Sequence, residues 1–411
     1  MRDRGDSRLT PSRDVAIVGG GPAGSALAIR LARAGRDVVV IERSQEPAWR
    51  AGGVFSSPAA VARLRSLGVD ETALASVTRP IPAMRVETPR GVRFRLTYGD
   101  DGSLTRSPIG FDRPALDRIL LGMAEGAGAE VRRGSTVIGS SLAPRISSLS
   151  LRTANGDETI RARVVVGADG IRSVVARTAG VVARAWFGPR VGLTWHVGDA
   201  SPDTSRDARM IVLDGAYCGL APVPRGRVNV GVVLAGTRWR RLLAAEGAKR
   251  VATDVLARIP SADDDPGRWV SAAWCDEIVG AAPLGHRVTR RAGDGWLLVG
   301  DAAGFLDPFT GEGIHRALVS AELAASAIED HLSADHPLAV YERTMRDRFS
   351  TKDAATLLVQ AFLARPVAFE YAARRLAARR DVRETMGLVI GDLLPASRAF
   401  DPRFLAALLR P

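Results

Sequence analysis

The apolar residues of this chain fall into two kinds of pattern. Short unbroken runs at 15–18, 38–41 and 164–166 have the length and β-branched content of strands buried on both faces. Between the first two, the stretch from Pro22 carries apolar residues at helical spacing and stops at Gly35. Another apolar strand ends at Gly300, and an alanine- and leucine-rich helix follows residues 311–313. Elsewhere the pattern alternates. MRVETPRGVRFRL (84–96) turns about Pro-Arg-Gly, and residues 190–235 hold several short runs, including AYCGLAPVPRGRVNVGVVL with a second Pro-Arg-Gly turn. Alternation with such turns predicts antiparallel strands. A helix is expected from about residue 239 to 259, and 331–411 read as amphipathic helices, for example LLVQAFLARPVAFEYAARRLAARR. No internal repeat or low-complexity linker interrupts the order.

Composition narrows the picture. With 411 residues, 46% hydrophobic and 25% charged, the chain is expected to form two intimately joined domains. No apolar run reaches the roughly 18 residues of a spanning helix, and MRDRGDSRLTPSRD lacks the apolar segment of a secretory signal, so a cytoplasmic protein is expected. Cys218 and Cys275 offer neither a disulfide framework nor metal-ligand spacing. The net charge of +12 is almost wholly arginine, Lys249 and Lys352 being the only lysines, and it is scattered rather than gathered into a stripe. A nucleic-acid partner is not expected from that distribution.

The chemistry begins in DVAIVGGGPAGSALAIRLARAGRDVVVIER (14–43). Gly19, Gly21 and Gly24 fill GxGxxG positions between a strand and a helix, with Pro22 and Ala23 inside the turn. The glycines serve the tight turn, the approach of backbone to a pyrophosphate, and helix-on-strand contact. The helix start offers free N–H groups and a dipole to phosphate. Glu42, followed by Arg43, ends the second strand where a ribose hydroxyl pair would lie. Strand, glycines, helix, strand and acid in order point to an adenine dinucleotide, and NAD and FAD both qualify.

VGDAAGFLDPFTGEGIHRAL (299–318) separates the two. It resembles the second flavin signature of the FAD enzymes typified by aromatic hydroxylases, such as p-hydroxybenzoate hydroxylase, and geranylgeranyl reductases. The resemblance implies that Asp301, after Gly300, holds the ribityl chain, and that Pro308, Gly311, Glu312, Gly313 and Ile314 bring a helix N-terminus to the flavin pyrimidine edge. A helix start is suited to the negative charge that reduced flavin carries there. VVVGADGIRSVVAR (164–177) resembles the DG motif of the same superfamily, which assigns Asp169 and Gly170 to the FAD and the route used by NADPH. Arg113 in FDRPALDRIL matches a flavin-contacting arginine at a helix start. The fold class implied is α/β: a Rossmann-like FAD-binding domain of the GR2 type, an inserted mixed or antiparallel β-sheet substrate domain, and C-terminal helices. FAD-binding segments are expected at 10–82, 107–182 and 283–330, substrate-domain segments at 83–106 and 183–282, and helices at 331–411.

The substrate side departs from the family. The segment PAWRAGGVFSSPAAVARLRSLGV (47–69) and the 299–318 stretch are closer to the geranylgeranyl reductase branch, yet Ala51 stands where that branch carries a cysteine before Gly52-Gly53. Its Tyr-x-Trp-x-Phe-Pro motif is reduced to YCGLAP, with Gly219 and Ala221 at the aromatic positions. Reduction of an isolated C=C needs a hydride and a nearby acid, and Ala51 donates no proton. A flavin C4a-hydroperoxide is itself an electrophilic oxygen donor, so a monooxygenase hydroxylating or epoxidising an apolar, aromatic or polyketide-like small molecule is favoured. The alternative is a prenyl-lipid C=C reductase. A flavin halogenase is a distant third, since its Trp-x-Trp-x-Ile-Pro motif and catalytic lysine have no counterpart. Tyr217 and His196 are the weak catalytic candidates; Gly53, Trp195, Tyr217 and Phe309 are the substrate-side ones. Cys218 reads as a small buried hydrophobe, His315 as a polar residue of a first helical turn, and Asp307 stays open. No second GxGxxG follows, so electrons are expected from NAD(P)H visiting a shared cleft or from a separate reductase. Membrane contact is possible through the C-terminal helices but packing on the core is favoured, and oligomeric state is not legible.

Overall fold

The computed structural model describes residues 12–99, 107–199, 207–259 and 273–409. The N-terminal leader, residues 100–106 of the expected hairpin segment, 200–206 and 260–272 of the substrate segment, and the last two residues lie outside the described part. The fold is α/β, with helices and two large sheets.

The apolar runs build the first sheet. Arg13–Val18 is central, with Val38–Ile41 and then Glu130–Arg132 parallel on one side, and Gly156–Gly167 and then Trp296–Leu298 parallel on the other. Val15 faces Val38 across one ladder and Val164 across the other, all buried. Helix Pro22–Arg33 packs against helix Gly313–Ala334 and against Arg113–Gly126, so three distant segments share one core. Strands Thr136–Ser141 and Ser147–Thr153 extend the sheet antiparallel from the first half of Gly156–Gly167.

The alternating segments build the second sheet, in the order Val279–Leu284, Arg190–Gly198, Arg227–Ala235, Ala216–Val223, Ala208–Leu213, Ala83–Glu87, Arg93–Thr97. All its ladders are antiparallel except that between Ala208–Leu213 and Ala83–Glu87. The sheet is therefore mixed. Val279–Leu284 crosses the boundary expected at 283, because it hydrogen-bonds to Arg190–Gly198.

Period-two alternation gives this sheet two unlike faces. Val191, Leu193, Trp195, Val197, Cys218, Leu220, Val228, Val230, Val232 and Leu234 form a separate core with Trp239, Val251, Ala252 and Val255. That core lies under helix Gly236–Leu256, which starts earlier and stops sooner than the expected 239–259 and is kinked at Gly247, whose φ of 78° no helix accommodates. Tyr217, Ala221 and Val233 join the main core from the opposite face. Helices Val340–Leu363, Pro366–Ala378, Arg380–Ile390 and Pro402–Leu409 close the molecule, two of them against Arg93–Thr97. No described helix is long and apolar enough to cross a membrane.

Candidate functional site

The first glycine turn is shaped by contacts that admit no side chain. Gly19 has φ +106°, and a Cβ there would lie 2.5 Å from the Ala168 carbonyl oxygen. A Cβ on Gly24 would lie 2.0 Å from the Gly19 oxygen. At Gly21 the nearest atom is Arg113 Nη2 at 3.8 Å, so this glycine faces open cleft. Helix Pro22–Arg33 starts there, with Ala23 buried beneath it and no side chain capping its N–H groups. Glu42 is buried and accepts from Gly20 N (2.9 Å), Ser44 N (3.0 Å) and Arg50 Nη2 (2.6 Å). Burial opposes its charge, but the Arg50 guanidinium and the two N–H groups outweigh it and hold the carboxyl below its ordinary range. Arg50, rather than the exposed Arg43, is thus the arginine of this corner. Its position eight residues beyond Glu42 carries no periodic signal, which is why the sequence hid it.

The other two motifs close on the same cleft. Arg113 opens helix Arg113–Gly126, anchored through Nε to both Asp117 oxygens at 2.9 Å, with its outer nitrogens near Gly21 and Gly52. Gly300 has φ +58°, and a Cβ there would lie 2.8 Å from Ala23 Cβ, which docks this signature onto the first helix. Its N–H donates to Ser320 Oγ at 2.8 Å. The Asp301 carboxyl takes no hydrogen bond from a described residue; burial raises its pKa, while Arg113 and Arg316 oppose the rise. Gly311 has φ +69° and packs its bare Cα on the Phe55 ring. Gly313, exposed and uncrowded, then begins a 22-residue helix without a side-chain cap, and Ile314 beside it is buried. Pro308 lies half-buried before that turn.

Two expected cofactor residues also make structural contacts. Asp169 Oδ2 accepts from Val174 N at 2.6 Å, while Oδ1 is buried without a partner, and Gly170 turns the chain at φ +76°. Glu312 is buried against Lys352 at 3.4 Å, within a cluster that the sequence did not suggest. Lys352 Nζ reaches Asp392 at 2.9 Å and donates to the Val389 carbonyl at 2.6 Å; Asp392 also meets His315 Nδ1 at 3.0 Å and Ser57 Oγ at 3.2 Å. His315 is accordingly a buried partner of Asp392, not a solvated first-turn residue.

On the substrate sheet the inner face presents Arg190, Gly192, Thr194 and His196, then Asn229, Gly231 and Val233, then Tyr217, Gly219 and Ala221. Trp195 is corrected: its strand parity sends it to the outer face, where it stacks on Trp274 at 5.2 Å and is fully buried. Cys218 shares that face, and burial pushes its thiol up to about 12, so it is inert packing. Tyr217 faces inward, but its hydroxyl donates to Asp307 Oδ1 at 2.7 Å, and its ring meets Phe309 edge-on at 5.2 Å. Asp307 also accepts from Phe309 N and pairs with Arg190. Burial and the Asp307 charge hold the Tyr217 phenol well above its ordinary range. Gly53 is exposed and uncrowded; it is its neighbour Gly52 that lies near Arg113. His196 is buried on the inner face with Nδ1 2.5 Å from Asp276. Burial outweighs that carboxylate and lowers its pKa, so the ring is neutral at ordinary pH. Asp276 lies in no strand pattern, and it was missed for that reason.

Residues 12–351 match the family model described as an FAD binding domain. Digeranylgeranylglycerophospholipid reductase 2 of Methanopyrus kandleri is 30% identical over 366 residues, 84% of this chain and 83% of that protein. Menaquinone reductase of Mycobacterium tuberculosis is 32% identical over 339 residues, 77% of each. Among solved structures, the flavin-dependent halogenase CmlS superposes with a TM-score of 0.75 at 23% identity, covering 97% of this chain and 72% of that one. A geranylgeranyl bacteriochlorophyll reductase-like protein of Thermoplasma acidophilum superposes with a TM-score of 0.76 at 22% identity, covering 97% and 98%. At these identities the two structures speak for the fold alone.

Proposed function

Because the chain belongs to the family described as an FAD binding domain and is an FAD-dependent oxidoreductase, we propose that it is a monooxygenase, hydroxylating or epoxidising an apolar or aromatic small molecule held on the inner face of the second sheet. The residues present fit the cofactor. Gly19, Gly21 and Gly24 with the bare helix start would take the pyrophosphate, Glu42 the adenosine ribose, Asp301 the ribityl chain, and the start of Gly313–Ala334 the pyrimidine edge. FAD, when bound, supplies hydride and oxygen-activation chemistry. The protein orients it, excludes water and positions the substrate.

The observation that carries this reading is that the described inner-face side chains offer no free acidic proton, the raised carboxyl beside them, Asp307, being engaged by Tyr217, Phe309 N and Arg190. Ala51 replaces a thiol, the Tyr217 hydroxyl is already donated to Asp307, and His196 is neutral. Reduction of C=C needs an acid in reach. Oxygen transfer asks instead for a dry, shaped pocket. The second reading, a C=C reductase of a prenyl lipid, is favoured by the names of the two relatives and by Asp307. That buried carboxyl, pushed upward in pKa by burial, sits on Tyr217 and would be the acid of such a reaction. Electrons would come from NAD(P)H or a separate reductase, and the setting would be cytoplasmic, with no nucleic acid involved.

Stopped-flow absorbance of the chemically reduced holoprotein mixed with oxygenated buffer separates the readings. A transient band at about 370–400 nm before oxidised flavin returns, lengthened by an aromatic substrate, is the expected result. Its absence, together with anaerobic reoxidation by an unsaturated lipid, would replace the monooxygenase with the reductase.

A further inference from the structure

The inner face of the second sheet is floored by glycine. Gly219 and Gly231 are direct cross-strand partners, Gly231 also faces Thr194, and Gly192 faces Val233. A Cβ on Gly231 would meet nothing nearer than 3.9 Å, and one on Gly219 nothing nearer than Met210 Cε at 3.6 Å. The protein thus leaves the floor bare. Arg190, Tyr217 and Asp307 stand at one end. Along the strand from Arg190, His196 lies six positions on, roughly 20 Å at the rise of an extended chain.

That far end holds three buried polar atoms without a hydrogen-bond partner: His196 Nε2, Trp49 Nε1 and Arg227 Nε. The Trp49 and His196 rings are 4.3 Å apart. Arg227 lies diagonally across the ladder from His196 and is fixed by Asp112 at 2.8 Å. His196 is 3% exposed, and Asp276 takes its backbone N–H at 2.7 Å while facing Nδ1 at 2.5 Å. A carboxylate on Nδ1 places the ring proton there, which leaves Nε2 as an acceptor. The set is then one acceptor and two donors. A single hydroxyl satisfies both kinds, donating to Nε2 and accepting from an N–H, whereas an ether or carbonyl only accepts. Arg227 and His196 are each already matched by a carboxylate, so a neutral group suits the site better than an anion.

Resting on the reading of this face as the substrate surface, we propose that His196, Trp49 and Arg227 form a hydroxyl-recognition site, and that the substrate is an extended apolar molecule carrying an alcohol or phenol at the end remote from Tyr217. His196 is a specificity residue here. Leaving its acceptor unfilled is what penalises a substrate without the O–H.

The test is anaerobic calorimetric titration of the oxidised holoprotein with 2-naphthol and with 2-methoxynaphthalene, which share a ring system and differ in the O–H. Wild type is expected to bind the naphthol about tenfold more tightly. His196→Ala should erase the preference. Trp49→Phe, which removes a donor and ring area but leaves the Nε2 acceptor in place, should weaken both compounds and keep the preference. Asp276→Asn leaves the imidazole in place but donates to Nδ1, moving the ring proton to Nε2, and should abolish or invert the preference; it also serves if the alanine variant fails to fold. No preference in wild type, a preference that survives both His196→Ala and Asp276→Asn, or no binding of either compound at millimolar concentration would overturn the site. Failure of the monooxygenase reading is distinguishable, because binding is read without oxygen: a naphthol preference together with no transient band in the stopped-flow experiment sinks the reaction and leaves the site standing.

Discussion

At Gly24 a single methyl group decides the outcome, because its carbon would lie 2.0 Å from the Gly19 oxygen. Gly24→Ala is expected to give protein with little or no bound FAD, read from the flavin absorbance of the purified chain. Asp301 has the opposite character: its carboxyl takes no hydrogen bond from a described residue, so Asp301→Ala should keep the thermal unfolding midpoint of the apoprotein while loosening FAD. Retention of tight flavin in that variant would mean the ribityl contact is elsewhere. Lys352→Met would strand Glu312 and Asp392 together, and loss of one partner from a buried ionic cluster costs about 3–5 kcal/mol. Urea unfolding should show it. The glycine turns at Gly19, Gly24 and Gly300 were legible in the sequence because their close contacts follow from turn geometry. Lys352, Arg50 and Asp276 were not, since each acts through a partner that only the tertiary fold brings near.

The strands of the second sheet show what alternation can and cannot reveal. Alternation puts Tyr217, Gly219 and Ala221 on one face, and pairing across the ladder sets Gly219 against Gly231 as one bare surface, while Gly192 is covered by Leu284. The side of the sheet that each parity faces depends on what covers it, and helix Gly236–Leu256 took the side holding Trp195. Hence Trp195 falls on the outer face and His196, one residue on, on the inner one. Gly219→Phe is expected to fill the space above the floor, removing 2-naphthol binding while FAD content stays at the wild-type level; unchanged naphthol affinity would place the aromatic subsite off this sheet. The kink at Gly247 was equally hidden, because a lone glycine in a helical pattern signals a weaker helix more often than a bend.

Across the whole molecule, the C-terminal helices are tied to the start of helix Gly313–Ala334 by charge as well as packing. Burial opposes ionisation of Asp392, but the hydrogen bond and charge of His315 and those of Lys352 win and hold its carboxyl far below the usual 3.8. A depressed carboxylate contributes stability above its unfolded pKa and loses it as pH falls toward the folded one. The stability difference between wild type and Asp392→Asn, from urea midpoints, should therefore be larger at about pH 5 than at about pH 3. The overall architecture was legible because three nucleotide motifs in order constrain it strongly, whereas the polar ties between its segments leave no local trace.

The central strand Arg13–Val18 and the strand Trp296–Leu298 that carries Asp301 belong to one sheet, yet the whole second sheet is encoded between them. On a translating ribosome the interval from residue 18 to residue 298 corresponds to roughly 15–60 s of elongation. The first glycine turn is thus synthesised long before Asp301 and the Gly311–Gly313 turn, and on the proposed assignment of FAD contacts its capture waits for the third segment to emerge. A nascent chain stalled within the second sheet would expose a half-formed parallel core, which makes pausing there a hazard for aggregation.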